Sequence, residues 1–342
     1  MYSVEQLLLP LWDSEVVYDE ALTMVKKDGV AEAPLMFLPA EILGVTSADK
    51  TKEYEEGVDY VVEGSTFRLT ADSRIPFYTE EEIIFDEKPE GKATYPMADG
   101  RWALSDYFHH RQIEVTYKKA EEGPKFQVPY CGNLLPRTMD KLRNKESLTI
   151  VLYGDSITEG SNSSGPMLLS PFLPAWGILT ALKLRMHYNA PVRPINMGKG
   201  GMDSIWGVAN AGERVGKNAP DLAIIAFGMN DRQEPDRFVD NIKRIQEITK
   251  VHCPHTEFIL CATTLQNPEL DLPGWHEHLE GYREELLKLE EPGTAIADFN
   301  SLQKYIMQNK RYIDITGNNV NHPNDFFARC HAQLIAEMLI EK

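Results

Sequence analysis

Four short segments in the second half of the chain carry residue types suited to attack on a carbonyl carbon. The first is Tyr153-Gly154-Asp155-Ser156-Ile157-Thr158-Glu159-Gly160, which follows the apolar run Thr149–Tyr153. A serine on the turn between a buried strand and the next helix exposes its hydroxyl at the strand's carboxyl edge, beside amides that favour a developing oxyanion. Such a place suits a nucleophile, and it equally suits a serine that only caps a helix. The second segment, Ile195-Asn196-Met197-Gly198-Lys199-Gly200-Gly201, is glycine-rich. Its backbone can adopt unusual angles and leave a main-chain N–H open to a substrate oxygen, or it can simply turn. It fits neither GxGxxG nor GxxxxGK[ST], so no dinucleotide or P-loop site is expected. In the third, Leu222–Phe227 leads into Gly228-Met229-Asn230-Asp231. The Asn230 amide can donate to an oxyanion without a titrating proton, with an Asn-Asp turn as the plain alternative.

The fourth segment is Asn318-Asn319-Val320-Asn321-His322-Pro323-Asn324-Asp325, just before an expected helix over Phe326–Ile340. A base on that loop can be aimed at a serine, whose hydroxyl is a weak nucleophile at pH 7 without one. The other histidines offer less. His276-Glu277-His278 lacks HExxH spacing, and His109-His110 would point to opposite faces of a strand, so no metal site is expected. Cys131, Cys253, Cys261 and Cys330 show no CxxC spacing, which fits reduced thiols rather than a disulfide framework or structural zinc.

These segments need a frame that brings strand ends together. The runs Thr149–Tyr153, Val192–Asn196, Leu222–Phe227, Phe258–Ala262 and Ala295–Asp298 read as compact apolar strands, each followed by a helical pattern. In Asp236–Lys250, for instance, Phe238, Ile242, Ile245 and Ile248 share one face. This rhythm predicts a three-layer α/β/α fold with a doubly wound parallel sheet and a ligand site beyond the strands' carboxyl ends. From Leu35 to Val128 the pattern is different: Glu41–Thr46, Asp59–Val62, Thr66–Thr70, Glu82–Phe85 and Gln112–Tyr117 are short alternating runs between turn residues. They predict an all-β sandwich or jelly roll. The expected organisation is residues 1–130 as the β domain, 131–146 as a linker with a short helix over Arg137–Lys145, and 147–342 as the α/β domain. A length of 342 residues suits two domains at about 150 residues each.

Asp and Glu total 52 against 35 Lys and Arg, a net charge of −17. That surface repels nucleic acid and anionic membranes, so neutral or cationic partners are expected. Met1-Tyr2-Ser3-Val4-Glu5 lacks a basic stretch followed by an apolar one, and no apolar run approaches the ~20 residues that cross a bilayer. A cytoplasmic location is therefore expected, with homo-oligomerisation left open.

Taken in order, GDSIT at Gly154–Thr158, NMGKGG at Asn196–Gly201, GMND at Gly228–Asp231 and NHP at Asn321–Pro323 resemble the four signature blocks of the SGNH (GDSL-like) hydrolase family. The resemblance covers about residues 147–342 and implies a flavodoxin-like fold. Carried over position by position, it makes Ser156 the nucleophile and His322 the general base. The oxyanion hole becomes the Ser156 and Gly201 N–H groups with the Asn230 side chain. No cofactor or metal is implied. A β-sandwich ahead of such a domain is similar to the family-two carbohydrate esterases, which implies O-acetyl groups on a small-molecule or oligosaccharide substrate.

The sequence departs from the family at Asn319, where a DxxH pattern would place Asp. An amide cannot stabilise an imidazolium as a carboxylate does. Asn319 or a backbone carbonyl can orient His322 in a Ser–His dyad; alternatively Asp325 or Asp314 supplies the acid; or activity has been lost. The dyad is the favoured reading. The loop Ser161–Ala175 carries Met167, Leu168, Leu169, Pro171, Phe172, Leu173 and Pro174, which either wall an acyl pocket or pack over the sheet edge. Ser161, Ser163 and Ser164 read as loop solvation. Trp12, Trp102, Tyr107, Phe108, Trp206 and Trp275 are mostly core, with stacking on sugar rings as the alternative. A lysophospholipase or thioesterase acting on longer chains, and a sugar-binding protein with a degenerate hydrolase domain, remain alternatives.

Overall fold

The computed structural model describes residues 2–120, 125–275 and 277–341. Five parallel strands form the central sheet in the order 192–196, 148–154, 222–226, 257–262, 294–298. Each is apolar because helices cover both faces. On one side Val151, Tyr153, Ala223, Ile225, Phe258 and Leu260 pack against Phe238, Ile242 and Ile245 of the helix Pro235–His252. On the other, Ile150, Leu152, Ile224 and Ile259 meet Trp176, Leu184, Phe327 and Ile335. The first strand lies between the second and the third. The chain therefore leaves it in one direction and returns on the opposite side, and the loops diverge there into a crevice at the carboxyl edge. The expected strands agree with the observed ones to within a residue at each end.

The front of the chain is rich in sheet. An antiparallel four-stranded sheet runs in the order 16–23, 112–119, 39–47, 53–54. A five-stranded sheet runs 60–63, 66–69, 30–34, 25–27, 78–79, its last pair parallel. Val17, Val45 and Val115 from the first and Ala33 and Phe67 from the second enter one hydrophobic cluster, which continues into Ile315 and Phe326 of the α/β half. Three readings are corrected here. Glu80–Ile83 is a single helical turn rather than part of a strand, because Glu82 accepts from the Thr79 N–H as a capping box. Strands begin earlier than expected, at Val16, where buried Asp19 and Glu20 interrupt the apolar pattern. His109 and His110 lie on a 3₁₀ turn, Phe108–Arg111.

All four cysteines are free. Among the described residues no helix is long and apolar enough to cross a membrane, and no group of three or more His, Cys, Asp or Glu side chains could hold a metal. His276 lies outside the described residues.

Candidate active site

Ser156 opens the helical turn Ser156–Glu159 directly after the first strand of the sheet. Asp155 caps that turn by accepting from the Ile157 N–H at 2.9 Å. Burial, with Asp231 nearby, pushes the Asp155 carboxyl up to about 7. Asp231, itself pushed up to about 6 by burial, accepts from both the N–H and the hydroxyl of Ser204 at the start of the helix Ser204–Arg214. The loops after the second and third strands are thereby tied together.

The glycine-rich loop after the second strand is held against Ser156's own turn. Asn196 donates to the Thr158 carbonyl at 2.8 Å and accepts from the Gly198 N–H at 2.9 Å. Gly198 is required there, since a Cβ would come within 2.4 Å of the Glu159 nitrogen. The Glu159 carboxylate accepts from the Gly200 N–H at 2.9 Å. Gly201, at φ +75°, follows in the left-handed region that favours glycine. Asn230 donates to the Met202 carbonyl at 3.1 Å, which places its amide beside that loop with one N–H unspent. Among the described residues, neither the Ser156 nor the Gly201 N–H has a hydrogen-bond partner.

His322 comes from the loop before the helix Asp325–Leu339. The Asn318 side-chain oxygen accepts from the backbone N–H groups of Val320, Asn321 and His322, each at 3.0 Å, and so folds the loop around itself. The His322 carbonyl accepts from Gly317 N–H and the Thr316 hydroxyl, both at 2.9 Å. This framework delivers the ring to the serine: His322 Nε2 lies 2.9 Å from Ser156 Oγ. Its Nδ1 lies 2.6 Å from Asn162 Oδ1. Burial pushes the imidazole down to about 4, so it is neutral at pH 7.

Of the predicted residues, Ser156 and His322 are in contact, while Gly201 and Asn230 lie on the loops after the second and third strands, joined through the Met202 carbonyl. The three residues named as possible partners of the histidine are placed elsewhere, which corrects that expectation. Asn319 donates to the Leu104 carbonyl at 3.2 Å and accepts from Asn267 at 3.1 Å. Asp325 accepts from the Ser164 N–H at 2.8 Å. Asp314 is bonded to Arg311 and to the Thr23 N–H. The ring's second nitrogen is met instead by Asn162, a residue that sequence reasoning passed over because no spacing rule links positions so far apart.

The neighbouring loop differs from expectation as well. Ser163 and Ser164 are buried, not solvating, and Ser164 accepts from the Leu173 N–H. Of the aromatic residues, Trp12 and Phe108 belong to the core. Trp206 and Trp275 lie under the guanidinium groups of Arg214 and Arg232, Trp102 lies under the Lys88 ammonium, and Tyr107 stacks on His109.

The profile of the GDSL-like Lipase/Acylhydrolase family matches residues 152–328, a stretch that contains all four signature segments. The chain belongs to this family, whose chemistry is carboxylic ester hydrolysis. No curated protein sequence matches the chain. Among solved structures, it is similar to a two-domain esterase active on acetylated mannans and co-crystallised with mannopentaose. That match has 23% identity and a TM-score of 0.50, and covers 62% of this chain and 54% of that one. An acetylxylan esterase from Geobacillus stearothermophilus matches at 17% identity and a TM-score of 0.47, covering 57% of this chain and 95% of that one. The chain thus matches about half the length of the two-domain esterase.

Proposed function

We propose that the chain is a serine esterase that removes O-acetyl groups from carbohydrate through an acyl-serine intermediate. The observation that carries this reading is the 2.9 Å contact between Ser156 Oγ and His322 Nε2 at the sheet's carboxyl edge. Ser156 Oγ attacks the ester carbon while His322 Nε2 takes its proton. The tetrahedral oxyanion is met by the Ser156 and Gly201 N–H groups and the free Asn230 N–H. His322 then gives the proton to the departing sugar oxygen as the carbon–oxygen bond breaks. Water attacks the acetyl-serine with His322 again as base, and acetate leaves as Ser156 recovers its proton. The neutral imidazole is the form this sequence of steps needs.

Two observations favour a short acyl group. Long-chain substrates require a walled channel, yet Leu168 and Phe172 are 81% and 59% exposed and turned to solvent. Their loop is also tied down at the front domain, where Ser170 Oγ donates to the Asp49 carbonyl and His109 Nε2 meets the Ser170 carbonyl, each at 2.7 Å. The carbohydrate class is suggested by the two-domain neighbour, which is active on acetylated mannans. We read residues 1–130 as a jelly-roll-like domain, joined through 131–146 to the hydrolase domain 147–342. This is supported by the shared core of the front sheets.

The test is a series of p-nitrophenyl esters from acetate to octanoate, with Ser156→Ala in parallel. Rates highest on acetate and lost in Ser156→Ala are expected, followed by acetate release from acetylated oligosaccharides. Rates that climb with chain length would overturn the acetyl assignment, and equal rates in Ser156→Ala would overturn the serine mechanism.

A further inference from the structure

We infer that Asn162 is the positioning residue that fixes the tautomer of His322, and that Asn319 serves instead as a tether between the histidine loop and the front domain. The inference rests on the Ser156–His322 reading above.

An amide oxygen can only accept a hydrogen bond. With Asn162 Oδ1 at 2.6 Å from His322 Nδ1, the ring proton belongs on Nδ1. Nε2 is left with its lone pair facing the Ser156 hydroxyl, the arrangement a general base requires. The amide is turned this way because its nitrogen faces the Gly317 carbonyl at 3.5 Å. Backbone geometry holds Asn162 in place. Its φ is +66°, a region that asparagine enters more readily than most side chains. The packing is equally close on the far side: a Cβ added to Gly317 would come within 2.5 Å of the Asn162 Cβ. Among the described residues, burial is what lowers the pKa of the His322 ring.

Asn319 has different work. Its side chain bridges Leu104 and Asn267, while its N–H donates to Thr316 Oγ1 at 3.0 Å. Ser105 Oγ reinforces the link by donating to the Asn318 carbonyl at 3.0 Å. An aspartate at 319 would lose the donor to Leu104 and turn its charge toward that carbonyl.

Three variants and one spectrum test this. Asn162→Gly keeps the backbone and deletes the amide; kcat should fall by roughly 10- to 100-fold with little change in KM, as for a misoriented base. Asn162→Asp keeps an acceptor and tolerates the same φ. A carboxylate at Nδ1 raises the histidine's pKa, so the acid limb of kcat/KM should move up by about 1–3 pH units with kcat at pH 8 at or above the parent value. Asn319→Asp should leave that limb in place. Nitrogen-15 NMR of His322 in the unmodified chain should show the proton on Nδ1. A proton on Nε2, an acid limb unmoved in Asn162→Asp, or unchanged kcat in Asn162→Gly would overturn the assignment. Hydrolysis surviving in Ser156→Ala would strike the underlying reading instead, and the NMR spectrum would still decide the Asn162 contact.

Discussion

Lys310 and Glu20 meet at 2.8 Å with neither side chain exposed, and they join the two halves of the molecule. Glu20 also accepts from the Tyr117 hydroxyl at 2.6 Å and the Met36 N–H at 2.9 Å, while Lys310 donates to the Ala21 and Pro34 carbonyls. A buried charge whose partner is removed has nothing to offset its desolvation.

Lys310→Met is therefore expected to cost about 3–5 kcal/mol, read as a lowered urea midpoint. Adding Glu20→Gln to it should recover much of the loss, since a neutral glutamine leaves no unpaired charge, its oxygen can accept from the Met36 N–H and its amide nitrogen can donate to the Tyr117 hydroxyl oxygen. A loss below about 1 kcal/mol in the single variant would show that the ion pair does not hold the halves together.

A second prediction concerns pH. His322 acts as a base only when neutral, so kcat/KM falls as pH drops through its pKa. Burial holds that value at about 4, well below the ordinary 6.5. Activity should then be nearly flat from pH 8 to pH 6, where a solvent-exposed histidine would already be mostly protonated. A half-maximal point at or above pH 6.5 would contradict the desolvated, uncharged environment described for the ring.

Glu159 is expected to act through the oxyanion hole. By accepting from the Gly200 N–H it fixes the Lys199–Gly200 peptide, one residue before the Gly201 N–H proposed for the oxyanion hole. Glu159→Ala should lower kcat about 10-fold with KM nearly unchanged, because the interaction matters where charge develops. Glu159→Gln retains the acceptor and should keep most of the rate. Equal effects in both variants would point to the charge rather than the hydrogen bond.

The three strand-end segments were legible because each combines a local backbone requirement with a chemical one. Gly198 must admit the Glu159 backbone, and Ser156 must open a capped turn, and both demands act over a few residues of sequence. The parallel sheet was legible for a similar reason, since strands covered on both faces must be continuously apolar. What escaped notice depends on contacts that close only in three dimensions. Asn162 lies 160 positions from His322, inside a loop whose other polar residues looked like solvation. The strand Val16–Thr23 carries Asp19 and Glu20 on buried positions, which disguises it until Lys50, Lys310 and Tyr117 arrive from elsewhere. The family's usual acid position misled in the same way, because Asn319 is spent on Leu104 of the front domain.

The most direct test of the central claim is covalent capture of the nucleophile. The chain, Ser156→Ala and His322→Ala are each incubated with a fluorophosphonate, and the adduct is located by peptide mass mapping. One phosphonylated residue, Ser156, is expected, with no adduct in Ser156→Ala and labelling slowed at least about 100-fold in His322→Ala. Labelling at another residue, or equally fast labelling without His322, would contradict a Ser156–His322 hydrolase.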